Sequence, residues 1–196
     1  MIDFAETENR LRNVLSEKRF RHTMGVTYTA AALAFAWGAD PEKARIAGLL
    51  HDCAKWCTNE EKIRLCDSYG IQLTEAERSN PELSHAKLGA YLAQKDYGLD
   101  DAELLSAIRY HTTGRPGMTL LEKIIFIADY IEPNRNLAPN LSEIRRLAFS
   151  DPDRCICRIM EDTLAYLKEK NYSIDQTTQD AYDYYIELTC RKDDCL

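Results

Sequence analysis

The sequence predicts an all-α fold in a single domain spanning residues 1–196, and three observations carry that prediction. Several helix starts are written as capping boxes, in which a polar cap side chain bonds backbone N–H groups and a Glu three residues later returns the bond. The few prolines and glycines fall mostly at breaks between helical patterns. No segment alternates apolar with polar residues over the length of a strand.

The elements follow in order. Helices are expected at roughly 3–15 and 19–37, and Asp40-Pro41 starts a third at roughly 41–56, with proline at the first helical position where its missing N–H costs nothing. Thr58/Glu61 opens roughly 59–69, stopped by Gly70, and Thr74/Glu77 opens roughly 75–80. A helix at roughly 83–97 stops at Gly98, and Asp100/Glu103, an Asp variant of the box, opens roughly 101–111. Thr119/Glu122 opens roughly 120–132, and helices at roughly 141–149, 152–170 and 176–190 complete the chain.

Composition bounds the function. With 25 Lys+Arg against 32 Asp+Glu the net charge is −7, which argues against a nucleic-acid coat or a basic membrane-surface protein, both of which need a cationic footprint. A chain of 196 residues buries enough of its surface to need no disulfide or zinc staple, so any metal should be chemical rather than structural. The seven cysteines, Cys53, Cys57, Cys66, Cys155, Cys157, Cys190 and Cys195, are odd in number and contain no CxxC. Cys53 and Cys57 read as small core residues rather than nucleophiles. The start MIDFAETENR lacks the basic-then-apolar pattern of a signal peptide, and the longest apolar run, Ala30 to Trp37, is too short to span a bilayer. A cytoplasmic location is expected. The tail tyrosines Tyr182, Tyr184 and Tyr185 suit a core or oligomer surface better than a base-stacking platform, and a homodimer is compatible with the sequence.

The chain has four histidines, His22, His51, His85 and His111, each on a different predicted helix and each in register with apolar neighbours. His22 shares a face with Val26, Ala30 and Leu33, and His111 with Leu104, Ala107 and Ile108. For any one of them a hydrogen-bonded core imidazole is the commoner explanation; four pointing inward favour a ligand set. Gly25, Gly48 and Gly89 each lie one turn from a histidine. Mid-helix glycine costs about 1 kcal/mol relative to alanine, so each needs a reason, either room for a ligand or a closely packed helix. Asp129 lies in a helix that is apolar nearly all round and is expected to be buried, where an ionised carboxylate needs a partner or a cation. Asp52 follows His51 directly; a 100° step between helical neighbours prevents chelation side by side but lets the pair flank an ion.

The order His22, His51-Asp52, His85, His111, Asp129 resembles the HD-domain metal-dependent phosphohydrolases, named for the adjacent His-Asp pair. The stretches His51-Asp52-Cys53-Ala54-Lys55, Ser84-His85-Ala86-Lys87, Tyr110-His111-Thr112 and Asp129-Tyr130-Ile131-Glu132-Pro133-Asn134-Arg135 are similar to the YqeK-type symmetrical dinucleoside tetraphosphate hydrolases. The resemblance implies a helical bundle and a dinuclear site: His22, His51, Asp52 and Asp129 on one ion, with Asp52 bridging to a second held by His85 and His111. The nitrogen and oxygen ligands suit iron, manganese, cobalt, nickel or zinc and disfavour calcium, and the resemblance implies iron among them.

The implied reaction is metal-dependent cleavage of diadenosine tetraphosphate at its central bridge by a metal-bound hydroxide, giving two ADP, with Asp52 and Lys55 catalytic. Lys55, four residues after His51, is expected to clamp phosphate and to protonate the leaving group; a solvated surface lysine is the plainer alternative. Arg115, after His111, and Arg135, after the Asp129 helix, are expected to meet substrate oxyanions, or else to cap helix ends. Hydrolysis of guanosine tetraphosphate, a nucleoside monophosphate or a cyclic dinucleotide stands as the alternative activity, and a non-catalytic metal or nucleotide sensor as the alternative class.

Overall fold

A computed structural model of the chain describes residues 2–193. Among these residues the chain forms α-helices and one 3₁₀ turn and no strand. The helices are α1 (Phe4–Val14), α2 (Glu17–Trp37), α3 (Pro41–Leu50), α4 (Asn59–Ser68) and α5 (Glu75–Ser79). After a 3₁₀ turn (Pro81–Ser84) come α6 (His85–Tyr97), α7 (Ala102–Tyr110), α8 (Leu120–Ile131), α9 (Leu141–Leu147), α10 (Pro152–Glu169) and α11 (Gln176–Asp193). Cys195 lies outside the described residues.

The capping chemistry places the starts. Thr58, Thr74 and Thr119 each form a complete box with the Glu three residues later, and Asp40 accepts from the N–H groups of Glu42 and Lys43 ahead of Pro41. The start of α7 differs from expectation: Asp101, not Asp100, is the cap, accepting from Glu103 and Leu104 in extended backbone geometry. Gly98 caps α6 at φ +68°, a left-handed conformation that costs an L side chain about 1 kcal/mol or more.

α2 is the spine of the bundle, with α3 and α8 packed along it; α7 joins α3, α6 and α8 on one side, and α10 carries α8, α9 and α11 on the other. Leu33, Leu49, Leu50, Leu88, Ile108, Ile124 and Ile127 are fully buried where these helices meet. Each such side chain is worth about 1.5–3 kcal/mol of burial. Gly48 lets α3 press against α2, because a Cβ there would stand 3.0 Å from the Thr27 Cα. Tyr185 is fully buried and its hydroxyl accepts from the Met118 N–H, so the tail joins the core, while Tyr184 remains exposed.

Three helix ends coincide with histidines, and the first of them corrects the sequence reading. α3 stops at Leu50 instead of running to 56, α7 stops at Tyr110, and α6 begins at His85 after the 3₁₀ turn. In each case the histidine Nδ1–H donates to the carbonyl three residues back: His51 to Gly48 (2.7 Å), His111 to Ile108 (2.7 Å) and His85 to Glu82. At the two C-terminal ends that carbonyl is one the next N–H would have used to continue the helix. Beyond α3 the chain proceeds by three-residue bonds, Cys53 N to Leu50 O and Lys55 N to Asp52 O, which tighten the turn. Only His22 sits inside a helix.

Candidate metal centre

The four imidazoles converge. Ring centroids lie 5.4 Å apart for His22 and His51, 5.0 Å for His51 and His111, and 4.9 Å for His85 and His111. All four histidines are buried, at 8 % residue exposure or less.

Their tautomers follow from their partners. A carbonyl or carboxylate only accepts, so every Nδ1 facing one must carry the proton: His51, His85 and His111 through backbone carbonyls, and His22 through Glu132 Oε1 at 3.1 Å. Each Nε2 of a neutral ring is then a lone pair. The Nε2 atoms of His85 and His111 stand 3.0 Å apart, lone pair against lone pair, and those of His22 and His51 are buried with no aligned hydrogen-bond partner. Only the Thr112 hydroxyl, 3.4 Å from His85 Nε2, offers a donor, and convergent buried acceptors left so nearly without donors are costly unless a cation sits among them.

Asp52 joins the two halves of the cluster. Its Oδ1 lies 3.2 Å from His85 Nε2 and 3.8 Å from His111 Nε2, while Oδ2 lies 3.4 Å from His51 Nε2, 3.7 Å from His22 Nε2 and 2.7 Å from the Arg19 guanidinium. The end of α3 at Leu50 allows this: with the helix broken, His51 and Asp52 turn toward the same point, which a continuous helix would forbid. Asp129 Oδ1 lies 3.1 Å from His22 Nε2 and 2.9 Å from Arg135. Its side chain is 21 % exposed, so it stands at the mouth of the site rather than buried within its helix as expected.

Burial would raise the Asp52 carboxyl, but His51 and His85 outweigh it and hold it well below the usual carboxylate range; His22 and Arg135 do the same for Asp129. Burial together with the neighbouring His85 and His51 pushes His111 down to about 3, and burial lowers His85. His51 shifts the other way: burial would lower it, but the Asp52 and Asp129 carboxylates outweigh that and raise it. The ionised carboxylates and the lowered His85 and His111 are in the states a divalent ion requires of its ligands, and His51 would release its proton on binding one. Two groups have ligand atoms within 4.8 Å of one another, His22 with His51 and Asp129, and His51 with Asp52 and His111. The donor set therefore fits a divalent metal.

A model of the HD domain matches residues 19–134, a span that holds all four histidines, Asp52 and Asp129. The chain belongs to the HD-domain family. This HD-domain chain is 43 % identical to a symmetrical bis(5'-nucleosyl)-tetraphosphatase of Bacillus subtilis over 90 % of its own length and 94 % of the relative's. A Staphylococcus aureus protein of the same name is 36 % identical over 94 % and 95 %. A solved structure from Clostridium acetobutylicum, described as a predicted HD superfamily hydrolase involved in NAD metabolism, superposes with a TM-score of 0.91 at 41 % identity, covering 95 % of this chain and 98 % of that one.

The remaining predicted residues divide. Arg135 reaches the centre through Asp129 and lines a cleft of about 730 Å³ beside His22, with Lys18, Arg19, Arg21 and Asn134. Lys55 is held by Glu82 Oε2 at 2.7 Å, and Glu82 is also gripped by the buried Lys62. Arg115 is bound through two nitrogens to Glu122, whose side chain is fully buried in the cap of α8. Cys53 and Cys57 are buried, and burial raises both thiols, Cys57 to about 11, as inert core residues require. Sequence reasoning missed Arg19 and Glu132. Arg19 lies one turn before His22, a spacing that could have revealed it; Glu132 stands in the stretch after Asp129 that carries the resemblance, but its partner is 110 residues away and no local signal marks the pairing.

Among the described residues no helix is long and apolar enough to cross a membrane.

Proposed function

We propose that this chain is a metal-dependent symmetrical bis(5'-nucleosyl)-tetraphosphatase that converts diadenosine tetraphosphate to two ADP. The observation that carries the reading is the convergence of four Nε2 lone pairs on an ionised Asp52, in a family whose full-length relatives bear that name. His22, His51, Asp52, His85, His111 and Asp129 are the ligands in this reading, with Asp52 bridging two ions, and iron is the metal we favour. Such ions neutralise phosphate oxygens and lower the pKa of a coordinated water to about 7.

The chain's own residues supply binding and orientation. Lys18, Arg19, Arg21 and Arg135 line the cleft at His22, and among the described residues Lys18 and Arg21 make no ion pair, which leaves their charge for phosphate. Arg135 holds Asp129 and presents its remaining N–H groups to the cleft. Lys55 and Arg115 stand behind these, since neither lines that cleft and each is tied to a carboxylate outside the ligand set, Glu82 and Glu122. Water adds to one of the two central phosphorus atoms, the bridging P–O bond breaks, and each half departs as a nucleoside diphosphate.

Metal-replete protein incubated with diadenosine tetraphosphate should yield ADP alone, and Asp52→Ala should abolish the yield. AMP with ATP would overturn the symmetry, and no turnover by the wild type would overturn the activity.

A further inference from the structure

We propose that Glu132 is a positioning residue that fixes the tautomer of His22 and so controls metal binding on the His22 side of the centre. The inference rests on the reading of His22 as a metal ligand. Three of the histidines set their own tautomer by donating to the carbonyl three residues back, which is available to them because each lies at a helix boundary. His22 lies inside α2, where backbone carbonyls are already taken by the helix. It needs an acceptor from elsewhere.

Glu132, the C-cap of α8, is that acceptor. It is 1 % exposed, its Oε1 receives His22 Nδ1 at 3.1 Å, and its Oε2 receives the Asn134 backbone N–H at 2.7 Å and the Asn134 amide at 2.9 Å. Among the described residues its ion-pair partner is His22, with the Arg135 guanidinium acting on it only at longer range. The sequence of α2 is cut to admit it: a Cβ on Gly25 would stand 2.3 Å from Glu132 Oε2. Asn134 also donates to the Arg21 carbonyl at 3.4 Å, tying the same turn to α2. A carboxylate cannot donate, so Nδ1 keeps its proton, and Nε2, 3.1 Å from Asp129 Oδ1 and 3.7 Å from Asp52 Oδ2, is the nitrogen left for a metal.

Glu132→Gln is the discriminating change, because it keeps size while adding donors. The two Asn134 N–H groups hold the amide oxygen, leaving the NH₂ to face His22; Nδ1 must then accept, and the proton moves to Nε2, where it blocks coordination. In metal-free protein labelled with ¹⁵N-histidine, two-bond ¹H–¹⁵N spectra at mildly alkaline pH should show His22 as the Nδ1–H form in the wild type and the Nε2–H form in Glu132→Gln, with the other rings unchanged. Titration calorimetry with Mn²⁺ should show a loss of about 10–100-fold in affinity for the variant. A His22 that lacks the Nδ1–H in the wild type would overturn the inference, and this needs no folded variant. Wild-type Mn²⁺ affinity in a folded Glu132→Gln would overturn it too. A wild type that binds no Mn²⁺ would instead refute the ligand reading, whatever tautomer the spectrum shows.

Discussion

Adding one methyl group to Gly25 tests how the centre is held. The Cβ of Gly25→Ala would stand 2.3 Å from Glu132 Oε2 and 3.1 Å from its Cδ, where ordinary contact begins at 3.4 Å. Relief requires the carboxylate to retreat from α2 by about 1 Å, which carries the 3.1 Å bond to His22 beyond hydrogen-bonding range. Losing a charge-assisted bond at a buried carboxylate costs about 1.5–3 kcal/mol, and alanine inside a helix returns about 1 kcal/mol. The balance is about 0.5–2 kcal/mol of destabilisation. Gly89→Ala is the matched control, because its nearest neighbour, the His51 carbonyl, lies 3.4 Å from the added Cβ. Free of a clash, it should gain about 0.5–1 kcal/mol from helix propensity. Urea denaturation of the two variants should move the midpoints in opposite directions from the wild type. If Gly25→Ala is stabilised to the same extent as Gly89→Ala, Glu132 is not locked in the α2 notch and the account of His22 fails with it.

Other consequences follow from the same contacts. Arg115→Ala strips two bonds from the buried Glu122 carboxylate and should cost about 1–3 kcal/mol in urea denaturation; an unchanged midpoint would return Arg115 to a role in solution. Glu82, drawn down to about 2 because its bonds to Lys55 and Lys62 outweigh its partial burial, binds its proton less readily folded than unfolded. Its contribution is therefore complete above about 4.5 and lost as pH falls toward 2, so the wild-type advantage over Glu82→Gln should shrink through that window. Chelation of metal-loaded protein should lower Tm by about 5–10 °C when free ion had been near 100 times Kd, with no shift in Asp52→Ala stripped the same way.

What the sequence made legible is what is written locally. Thr58, Thr74, Thr119 and Asp40 cap helices because a cap and its recipients lie within three residues. The same rule slipped by one residue at Asp100-Asp101, where two adjacent acids offer equal chemistry and only backbone geometry chooses between them. The helix end at His51 was hidden because Cys53, Ala54 and Cys57 continue the apolar pattern past it while the His51 N–H competes for the Gly48 carbonyl. Lys55 and Arg115 were placed near the ligands by spacing, but the carboxylates that hold them, Glu82 and Glu122, were not visible as their partners.

The glycines show where local reading stops. Gly25, Gly48 and Gly89 all stand one turn from a histidine, yet the structure gives them three different neighbours: a carboxylate from α8, the backbone of α2, and the carbonyl of His51. Only the first bears on the chemistry of a ligand, and its partner is more than a hundred residues away. Charge behaves alike. A chain of net −7 shows no cationic footprint in its sum, but the fold brings Arg135 beside Lys18, Arg19 and Arg21 at the mouth of the ligand cluster. A polyanion responds to that local field rather than to the total, so the charge count is silent on where a tetraphosphate would bind.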